Sequence, residues 1–327
     1  MKLGTMWKVD STVTAEGSSP VAEQILRNWE HDPGSVRFFR SSANFVYVFH
    51  KEGKRYFLRF ADSSERSRET IEAEVDIVNW LAGAGISVAT PLQSRNGRFV
   101  ETTATPAGAF HAVVFAGLEG SQLDVEDLDD SRFREWGAAL GRLHFALKAY
   151  PGSGRVARGA WRDHLDFARK YVPEDELAVR HELDQIASVM AVLPVNRDNY
   201  GLIHFDFELD NLYWRNDTIG ILDFDDCSHY WYVADIAFAL GDLFGAGVKL
   251  DEASVREFVR GYSSHQLLDD ELLSRLPVFL RMADLIDYAR LARALDLPND
   301  QAYPEWLSAL NRKLKGRMEA YKASLAL

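Results

Sequence analysis

Two short acidic segments in the second half of the chain contain most of the residues that could do chemistry. Residues 204–211 read HFDFELDN, and residues 223–226 read DFDD. Two carboxylates about 4 Å apart repel by about 4 kcal/mol at an effective dielectric constant of about 20. We therefore expect a positive partner: a divalent cation, a cationic substrate, or an arginine or lysine from elsewhere in the chain. If the segment were a solvated loop, it would need no positive partner. However, the acids alternate with Phe205, Phe207 and Leu209, so one face of the segment is predicted to be buried.

The spacing of the acids and one amide predicts where a metal ion would bind. Asp206 and Asn211 are five residues apart, and Asp223 follows twelve residues later. Between them the apolar runs 211–214 and 219–222 flank the turn residues RNDT, which predicts a β-hairpin that returns the chain to its starting point. Carboxylate and amide oxygens are hard ligands of the kind that Mg²⁺ prefers, with waters and phosphate oxygens completing its coordination. A remaining aspartate could accept a proton from a substrate.

The composition limits the class of protein and of partner. The 327 residues are 47% hydrophobic, enough for two domains, and the net charge is −12. This charge argues against nucleic acid as a partner, because phosphate backbones are bound by clustered lysine and arginine. No apolar run reaches the ~18 residues of a membrane span, and the first residues lack the apolar stretch of a signal peptide, so we expect a cytoplasmic protein with no membrane partner. The single cysteine, Cys227, excludes an internal disulfide.

The first part of the chain is predicted to contain a sheet and a long helix. Ser19 and Pro20 are residue types that cap and open a helix, predicted here over 20–30. Runs rich in aromatic and β-branched residues predict strands at 35–40, 45–50, 55–60, 88–93 and 98–102. Apolar residues at helical spacing predict a helix over 64–81 that ends near Gly83.

The second part is predicted to be mainly helical. Amphipathic patterns predict helices over 131–149, 174–193, 251–263, 268–295 and 303–325. The acidic segments and their hairpin interrupt this helical region. The change of character near residues 116–120 predicts two domains, 1–116 and 117–327.

The pattern H-x-D-x-x-x-x-N followed by D-F-D resembles the catalytic core of protein-kinase-like enzymes. It is more similar to the aminoglycoside phosphotransferase and choline kinase family, whose usual forms are HGD-x-x-x-x-N and IDF or IDW. Four other stretches resemble that family in the same order along the chain: ERSRETIEAEVDIVNWLAGAGISVATPL, VVFAGLEG, ALGRLH and VADIAF. The resemblance implies an α+β protein with a two-lobed protein-kinase-like fold. Its N-terminal lobe, an antiparallel sheet plus a helix, would bind nucleotide, and its mainly helical C-terminal lobe would carry catalysis and substrate binding.

The resemblance also implies roles for the residues of the acidic segments. Asp206 would orient and deprotonate the acceptor hydroxyl, while Asn211 and Asp223 would bind the metal ions, Mg²⁺, that bridge the phosphates of ATP or GTP. His204 would support the loop from behind. Asp225 would either assist at the metal or cap the following turn.

On the nucleotide side, the strand position that carries lysine in the family is occupied here by Arg59. Arginine keeps the positive charge but replaces a compact ammonium by a larger planar group. Its expected ion-pair partner is Glu74, with Glu72 as the second choice. The covering loop, RSSANF at 40–45, contains no glycine. We assign further nucleotide contacts to the covering loop and to the hinge, through Ser42, Asn44, Phe115 and Ala116.

The acceptor is expected to lie beside the catalytic loop. Three acids would border it, and the segment HYWY at 229–232 would either add aromatic walls suited to an ammonium group or pack the hairpin onto the helices. The predicted substrate residues are Glu208, Asp210, Asp226, Tyr230 and Trp231. Glu208 occupies the place of a lysine that contacts the transferred phosphate in protein kinases, so protein-kinase activity is not expected. Asp235 is predicted to cap the helix that it opens.

The function implied is an ATP-dependent phosphotransferase that moves the γ-phosphate to a hydroxyl of a small, amine-bearing molecule, similar to an aminoglycoside, choline or homoserine. The sequence does not indicate an oligomeric state. One alternative is a catalytically inactive nucleotide-binding scaffold of the same fold, although Asp206, Asn211 and Asp223 are all present. Another is a DxD-type phosphatase of the haloacid dehalogenase class, because GILDFDD resembles its first motif. That class follows the motif with Gly-Thr or Gly-Val, whereas this chain has Asp226 and Cys227.

Overall fold

The computed structural model describes residues 1–152, 157–244, 249–298 and 301–326. The chain forms two compact units. The first comprises Met1–Asn79, Ala89–Leu118 and Arg293–Arg317, and the second comprises Trp80–Val88, Glu119–Ala292 and Met318–Leu327. Among the described residues, no helix is both long enough and apolar enough to cross a membrane.

The first unit is built on a six-stranded sheet in which all neighbouring strands are antiparallel. Its strands are β1 Arg37–Ser41, β2 Phe45–Lys51, β3 Lys54–Asp62, β4 Pro91–Leu92, β5 Glu101–Thr105 and β6 Gly108–Ala116. The strand order is β1-β2-β3-β6-β4, and β5 also pairs with β6. The predicted strands at 35–40, 45–50 and 55–60 correspond to β1, β2 and β3. The turn between β2 and β3 places Glu52 and Gly53 at positive φ, as a tight hairpin requires.

The helices in the first part of the chain are α1 Leu3–Asp10, α2 Pro20–Leu26 and α3 Arg68–Gly83. α2 begins as predicted, because the Ser19 side chain accepts a hydrogen bond from the Ala22 amide. α3 ends at a glycine pair, where Gly85 adopts positive φ. α1 was not predicted. It packs with Leu307 in a small apolar cluster of its own.

The rest of the chain is mainly helical, as predicted. Its helices are α4 Asp130–Lys148, α5 Trp161–Tyr171, α6 Leu177–Ala191, α7 Tyr232–Ala239, α8 Gly241–Phe244, α9 Ala253–Ser263, α10 Asp270–Leu273, α11 Leu276–Ala294 and α12 Glu305–Leu325. α5 was not predicted, and the single helix predicted over 268–295 is divided into α10 and α11. The α+β class is confirmed.

Two short antiparallel ribbons carry the acidic segments in the second unit. β7, Tyr200–Ile203, pairs with β10, Ser228–Trp231. The predicted hairpin is present as β8, Leu212–Arg215, and β9, Thr218–Ile221. At its open end the Leu222 amide donates to the Asn211 carbonyl at 3.1 Å. This bond brings the chain after Asn211 back beside the chain before Asp223.

Two glycines let α4 and α9 approach closely in the second unit. A Cβ atom at Gly137 would lie 1.9 Å from the Phe258 carbonyl oxygen, and one at Gly261 would lie 1.9 Å from that of Arg134. Larger residues at either position would therefore force the two helices apart. This crossing matters for the site described next, because α4 and α9 each supply a buried side chain behind it.

Candidate active site

The catalytic loop, residues 204–211, is held from behind by Asp235, which is fully buried. Its carboxylate accepts the backbone amides of His204 and Phe205, each at 2.7 Å. A third bond joins it to His144 Nε2 at 2.9 Å. The predicted helix-capping role of Asp235 is therefore wrong. Its carboxylate binds the preceding loop instead, and the residue before α7, Trp231, makes no side-chain cap.

His144 connects Asp235 to the α4–α9 crossing. Its Nδ1 lies 2.9 Å from the hydroxyl of Tyr262, and both rings are almost completely buried. The Asp235 carboxylate is thus surrounded by donors on three sides, which is what a buried charge requires. The loop backbone is anchored to the core of the second unit through this relay.

Phe205 has a backbone conformation that a bulky residue rarely adopts, with φ at +75°. This costs about 1 kcal/mol or more, so the surroundings must enforce it. Its ring contacts His164, Tyr230 and Phe238 at centroid distances of 4.9, 5.4 and 4.7 Å. Aromatic packing of its ring and the hydrogen bond of its amide to Asp235 therefore hold the backbone of Phe205, which directly precedes Asp206, in this conformation.

Tyr230 and Trp231 are both fully buried. The Tyr230 hydroxyl lies 2.6 Å from His164 Nδ1, and Trp231 Nε1 donates to the Pro194 carbonyl at 2.7 Å. Neither ring has exposed surface in the structure, and a role of Tyr230 and Trp231 as walls of a substrate pocket stays a prediction. The contacts of both rings match the other interpretation of HYWY, in which the segment packs against the helices.

His164 makes the stability of the protein depend on pH. Burial, reinforced by the positive charge of Arg290, lowers its pKa from 6.5 to about 4. An unfolded chain takes up a proton below about pH 6.5, whereas the folded protein does so only near pH 4. Stability is therefore fully present above about pH 6.5 and falls as the pH drops toward 4, by about 3 kcal/mol in total.

We expect the substitution His164→Gln to reduce this acid sensitivity. Between pH 7 and pH 5 the wild-type protein should lose about 2 kcal/mol more stability than the variant, because His164 takes up a proton in that window when the chain unfolds, whereas glutamine does not. Urea unfolding followed by fluorescence at the two pH values measures the difference. Equal losses in the two proteins would show that His164 is not held neutral.

Asp206 accepts a hydrogen bond from its predicted neighbour Asn211. The Asn211 Nδ2 donates to Asp206 Oδ2 at 2.8 Å and to the Asp206 carbonyl at 3.0 Å. Burial, together with repulsion by Asp226 and Asp223, raises the pKa of Asp206 to about 7, although the bond from Asn211 opposes this change. A carboxylate whose pKa lies near neutrality is suited to accept a proton in a reaction.

His204 joins the catalytic loop to the segment that leads to Asp223. Its Nδ1 accepts the Asp206 amide at 3.2 Å, and its Nε2 lies 3.1 Å from the Leu222 carbonyl. Both contacts are satisfied when the single proton is on Nε2. Complete burial lowers the pKa of His204, which keeps the ring neutral. These bonds match the supporting position that the sequence suggested.

Asp223 occupies the left-handed region with φ at +65° and ψ at +61°, directly before the turn Phe224–Asp226. Aspartate adopts this region more readily than most residues with a Cβ atom, and backbone hydrogen bonds on both sides of Asp223 help to keep it there. Asp225, in the middle of the turn, is buried. The charge of Asp223 acts on Asp206, which Asn211 contacts directly, so the structure brings these three residues together although they are spread over 18 residues.

The oxygen ligands at this position suit a magnesium ion that is already bound to phosphates. The described residues contain no group of three or more histidine, cysteine or acidic side chains that could hold a metal alone. The nitrogen of Asn211 is engaged by Asp206, so its amide oxygen is the atom that would bind a metal. Together with the Asp223 carboxylate it offers two hard ligands, and Mg²⁺ commonly uses one or two protein ligands plus waters and phosphate oxygens.

Two arginines from distant segments supply the positive charge that the acidic cluster requires. Arg290, on α11, contacts Asp226 Oδ2 at 2.9 Å and lies 3.6 Å from Asp287. Arg158, in the segment before α5, binds the backbone of the turn after Asp223. Arginine from elsewhere in the chain was one of the partners expected, but neither residue was identified from the sequence.

Glu208 and Asp210 are exposed on the catalytic loop. Although much of the Glu208 side chain is exposed, partial desolvation of its carboxylate raises its pKa to about 8, and the negative charges of Asp206, Asp242, Asp287 and Asp210 raise it further. Asp226, by contrast, is already paired with Arg290. The environment of Glu208 is therefore strongly negative and would favour an added cation.

In the first unit, Arg59 and Glu74 form the predicted ion pair. Arg59 lies on β3 and Glu74 on α3, and they are 8% and 1% exposed. The guanidinium also lies 5.0 Å from the centre of the Phe115 ring. Glu72, the second choice, instead pairs with Arg68 at the surface, at 2.7 Å.

Breaking this pair should destabilise the protein strongly. The substitution Glu74→Gln removes the carboxylate that contacts the buried guanidinium of Arg59, and we expect a loss of about 3 kcal/mol in the free energy of unfolding. The control Glu72→Gln removes an exposed pair, which should cost less than about 1 kcal/mol. Chemical denaturation of both variants measures the contrast. Equal losses would show that the Arg59–Glu74 pair is not desolvated.

The other predicted nucleotide contacts lie on the same sheet. Ser42 is exposed and Asn44 buried in the turn between β1 and β2, where the Ser42 amide donates to the Asn44 carbonyl at 3.1 Å. Phe115 and Ala116 end β6, and the Ala116 amide donates to the Thr90 carbonyl at 2.9 Å. Their contacts with a nucleotide stay predictions.

A family model, APH, described as the phosphotransferase enzyme family, matches residues 35–272. This match covers most of the chain and includes every acidic residue of the candidate site named so far except Asp287, which lies on α11. The chain belongs to the phosphotransferase enzyme family. Membership excludes a DxD-type phosphatase, and so does the local structure, because Asp223 follows a strand of an antiparallel hairpin.

Several proteins of known name resemble the chain over most of its length. The amicoumacin kinase of Bacillus subtilis (strain 168) is 32% identical over 272 residues, which is 80% of this chain and 81% of that protein. The structure of the amicoumacin kinase hAmiN in complex with AMP-PNP, Ca²⁺ and Ami has a TM-score of 0.75 at 27% identity, with 92% of each chain covered. A microcompartment-associated aminopropanol kinase has a TM-score of 0.68 at 23% identity, with 94% and 98% covered. The predicted protein-kinase-like fold is confirmed.

Proposed function

We propose that this phosphotransferase moves the γ-phosphoryl group of Mg-ATP to a hydroxyl group of a small, amine-bearing molecule. The observation that carries the proposal is the contact between Asp206 and Asn211 beside Asp223. This contact pairs a carboxylate whose pKa is near 7 with two oxygen ligands for a metal. Phosphoryl transfer depends on positioning and charge neutralisation more than on covalent help, and this arrangement offers both.

In this proposal Asp206 holds the acceptor hydroxyl and takes its proton as the new phosphate ester forms. Asn211, through its amide oxygen, and Asp223, through its carboxylate, hold Mg²⁺, which when bound neutralises charge on the phosphates. His204 and Asp235 keep the loop in place and touch no reacting atom. Asp225, buried in the turn, assists at the metal or stabilises that turn.

The first unit would bind the nucleotide. Arg59, fixed by Glu74, would provide the positive charge for the phosphates, and Ser42 and Asn44 would contribute from the turn before β2. Phe115 and Ala116 would contact the base. We propose the lobes 1–116 and 117–327 as the corresponding functional division, with ATP or GTP as the donor.

The acceptor is proposed to carry an amine because the surroundings of Asp206 are negatively charged. Glu208, Asp210 and Asp226 would border it, and Arg290 offsets only part of the charge on the acids around it. A cation would therefore be attracted and an anion repelled. The names of the amicoumacin kinase and aminopropanol kinase relatives are compatible with such an acceptor.

A screen of matched acceptors tests the proposal. Nucleoside diphosphate release is measured with Mg-ATP and Mg-GTP against amino alcohols, aminoglycosides, choline and homoserine, each beside an analogue that lacks the amine. We expect release that depends on an acceptor and is faster with the amine than without it. Nucleotide binding without release for any acceptor would support an inactive scaffold instead.

A further inference from the structure

Arg158 is bound to the backbone of the turn that follows Asp223. Its Nε donates to the carbonyl oxygen of Cys227 at 2.7 Å. Its Nη2 donates to the carbonyl oxygen of Phe224 at 2.9 Å and also to that of Asp225. One guanidinium group therefore serves three carbonyls within four residues, which fixes the path of this turn.

The segment that carries Arg158 is itself anchored beside the turn. The carbonyl of Gly159 accepts the His229 amide at 2.8 Å, and Ala160 forms a parallel bridge with His229. The next residue, Trp161, opens α5, and its ring lies 5.6 Å from that of Trp231. Arg158 is therefore held in position by its neighbours before it contacts the turn.

Asp223 depends on the residues on both sides of it to keep its left-handed conformation. On the preceding side, the Leu222 amide is bound to the Asn211 carbonyl at 3.1 Å. On the following side, the Cys227 amide donates to the Phe224 carbonyl at 3.1 Å, and Arg158 binds the same carbonyl. Because the backbone sets the direction of the Asp223 carboxylate, the contacts of Arg158 help to set that direction.

We propose that Arg158 is a positioning residue for the metal-binding carboxylate of Asp223. It holds the turn so that Asp223 and Asn211 present their oxygens to the same ion. The inference rests on the proposed function, since the ion is the one that carries the nucleotide phosphates. Arg158 touches no reacting atom, so its effect resembles that of residues behind metal ligands, whose loss typically costs 10–100-fold in affinity or activity.

Three variants test this role: Arg158→Met, Arg158→Lys and the control Arg162→Met. Arg162 lies four residues away, and its guanidinium is 4.1 Å from the centre of the Trp161 ring. Two quantities are measured: the Kd for Mg-AMP-PNP by calorimetry, and amide hydrogen exchange over residues 222–228 in the metal-free protein.

Arg158→Met should raise the Kd about tenfold or more and accelerate exchange. Arg158→Lys should give intermediate values, because an ammonium lacks the planar fork that reaches several carbonyls. Arg162→Met should change neither quantity.

Wild-type values of both quantities in Arg158→Met would overturn the inference. If Arg158→Met does not fold, Arg158→Lys decides: a raised Kd with faster exchange supports the role, and wild-type values contradict it. If the wild-type protein does not bind Mg-AMP-PNP, the proposed function fails. The exchange data then still show whether Arg158 holds the turn, so the two failures are distinguishable.

Discussion

Replacing Asp206 by asparagine should lower kcat by a factor of about 10² to 10⁴, the usual contribution of a positioned general base. Asparagine has nearly the same shape, and its amide oxygen can still accept the bond that Asn211 donates to Asp206 at 2.8 Å. The loop should therefore keep its structure while the proton acceptor is lost. The Kd for Mg-AMP-PNP should stay within about twofold of the wild-type value, which is less than about 0.5 kcal/mol.

The control for this variant is Asp210→Asn. Asp210 lies on the same loop and is exposed, and the proposal gives it only a border position at the acceptor. Its substitution should change KM for a cationic acceptor more than kcat. Steady-state kinetics on both variants, with a shared acceptor, separates the roles. A kcat for Asp206→Asn within tenfold of wild type would contradict the assignment of Asp206 as base.

Replacing Asp223 by asparagine should instead weaken the binding of the metal-nucleotide complex. The substitution removes the one negative charge among the two proposed ligands, while Asn211 keeps its amide oxygen. We expect the Kd for Mg-AMP-PNP to rise at least about tenfold, or about 1.4 kcal/mol. Turnover should also fall by about 10² or more, since the charge that neutralises the phosphates is no longer held in place.

Calorimetry in Mg²⁺ and in EDTA isolates this effect. In Mg²⁺ the Asp223→Asn variant should bind more weakly than wild type, whereas Asp206→Asn should not. In EDTA all three proteins should bind AMP-PNP with similar affinity, because the metal no longer contributes. An equal loss of affinity in both variants would contradict the division of roles between the two aspartates.

The local pattern of the site was predictable from the sequence because its parts are close along the chain. A hairpin with turn residues at 215–218 returns the chain over a short distance, so the convergence of Asn211 and Asp223 follows from hairpin geometry alone. The Arg59–Glu74 pair was predictable only through the family resemblance. Its two residues lie on different elements, and the distance between them is set by how α3 packs on the sheet.

The residues that stabilise the site could not be predicted in the same way. Arg290 is 64 residues from Asp226, and many arginines in the sequence could equally have paired with it. Asp235 was expected to open its helix, but α7 begins three residues earlier, at Tyr232, and the Asp235 carboxylate binds the loop amides instead. The segment around Tyr230 and Trp231 lacks the alternation of apolar and polar residues that is typical of a half-exposed strand, because both faces of β10 are largely buried. α5 is an exception, because its sequence, WRDHLDFARKY, has the strongly amphipathic pattern that is typical of a helix.

The most direct test of the central claim is ³¹P NMR of the protein with Mg-ATP and the best acceptor from the screen. We expect the γ-phosphate signal of ATP to decay while a phosphomonoester signal of the acceptor grows in equal amount, and we expect Asp206→Asn to show neither change on the same time scale. The contradicting result is release of inorganic phosphate alone, or ester formation by the Asp206→Asn variant at the wild-type rate.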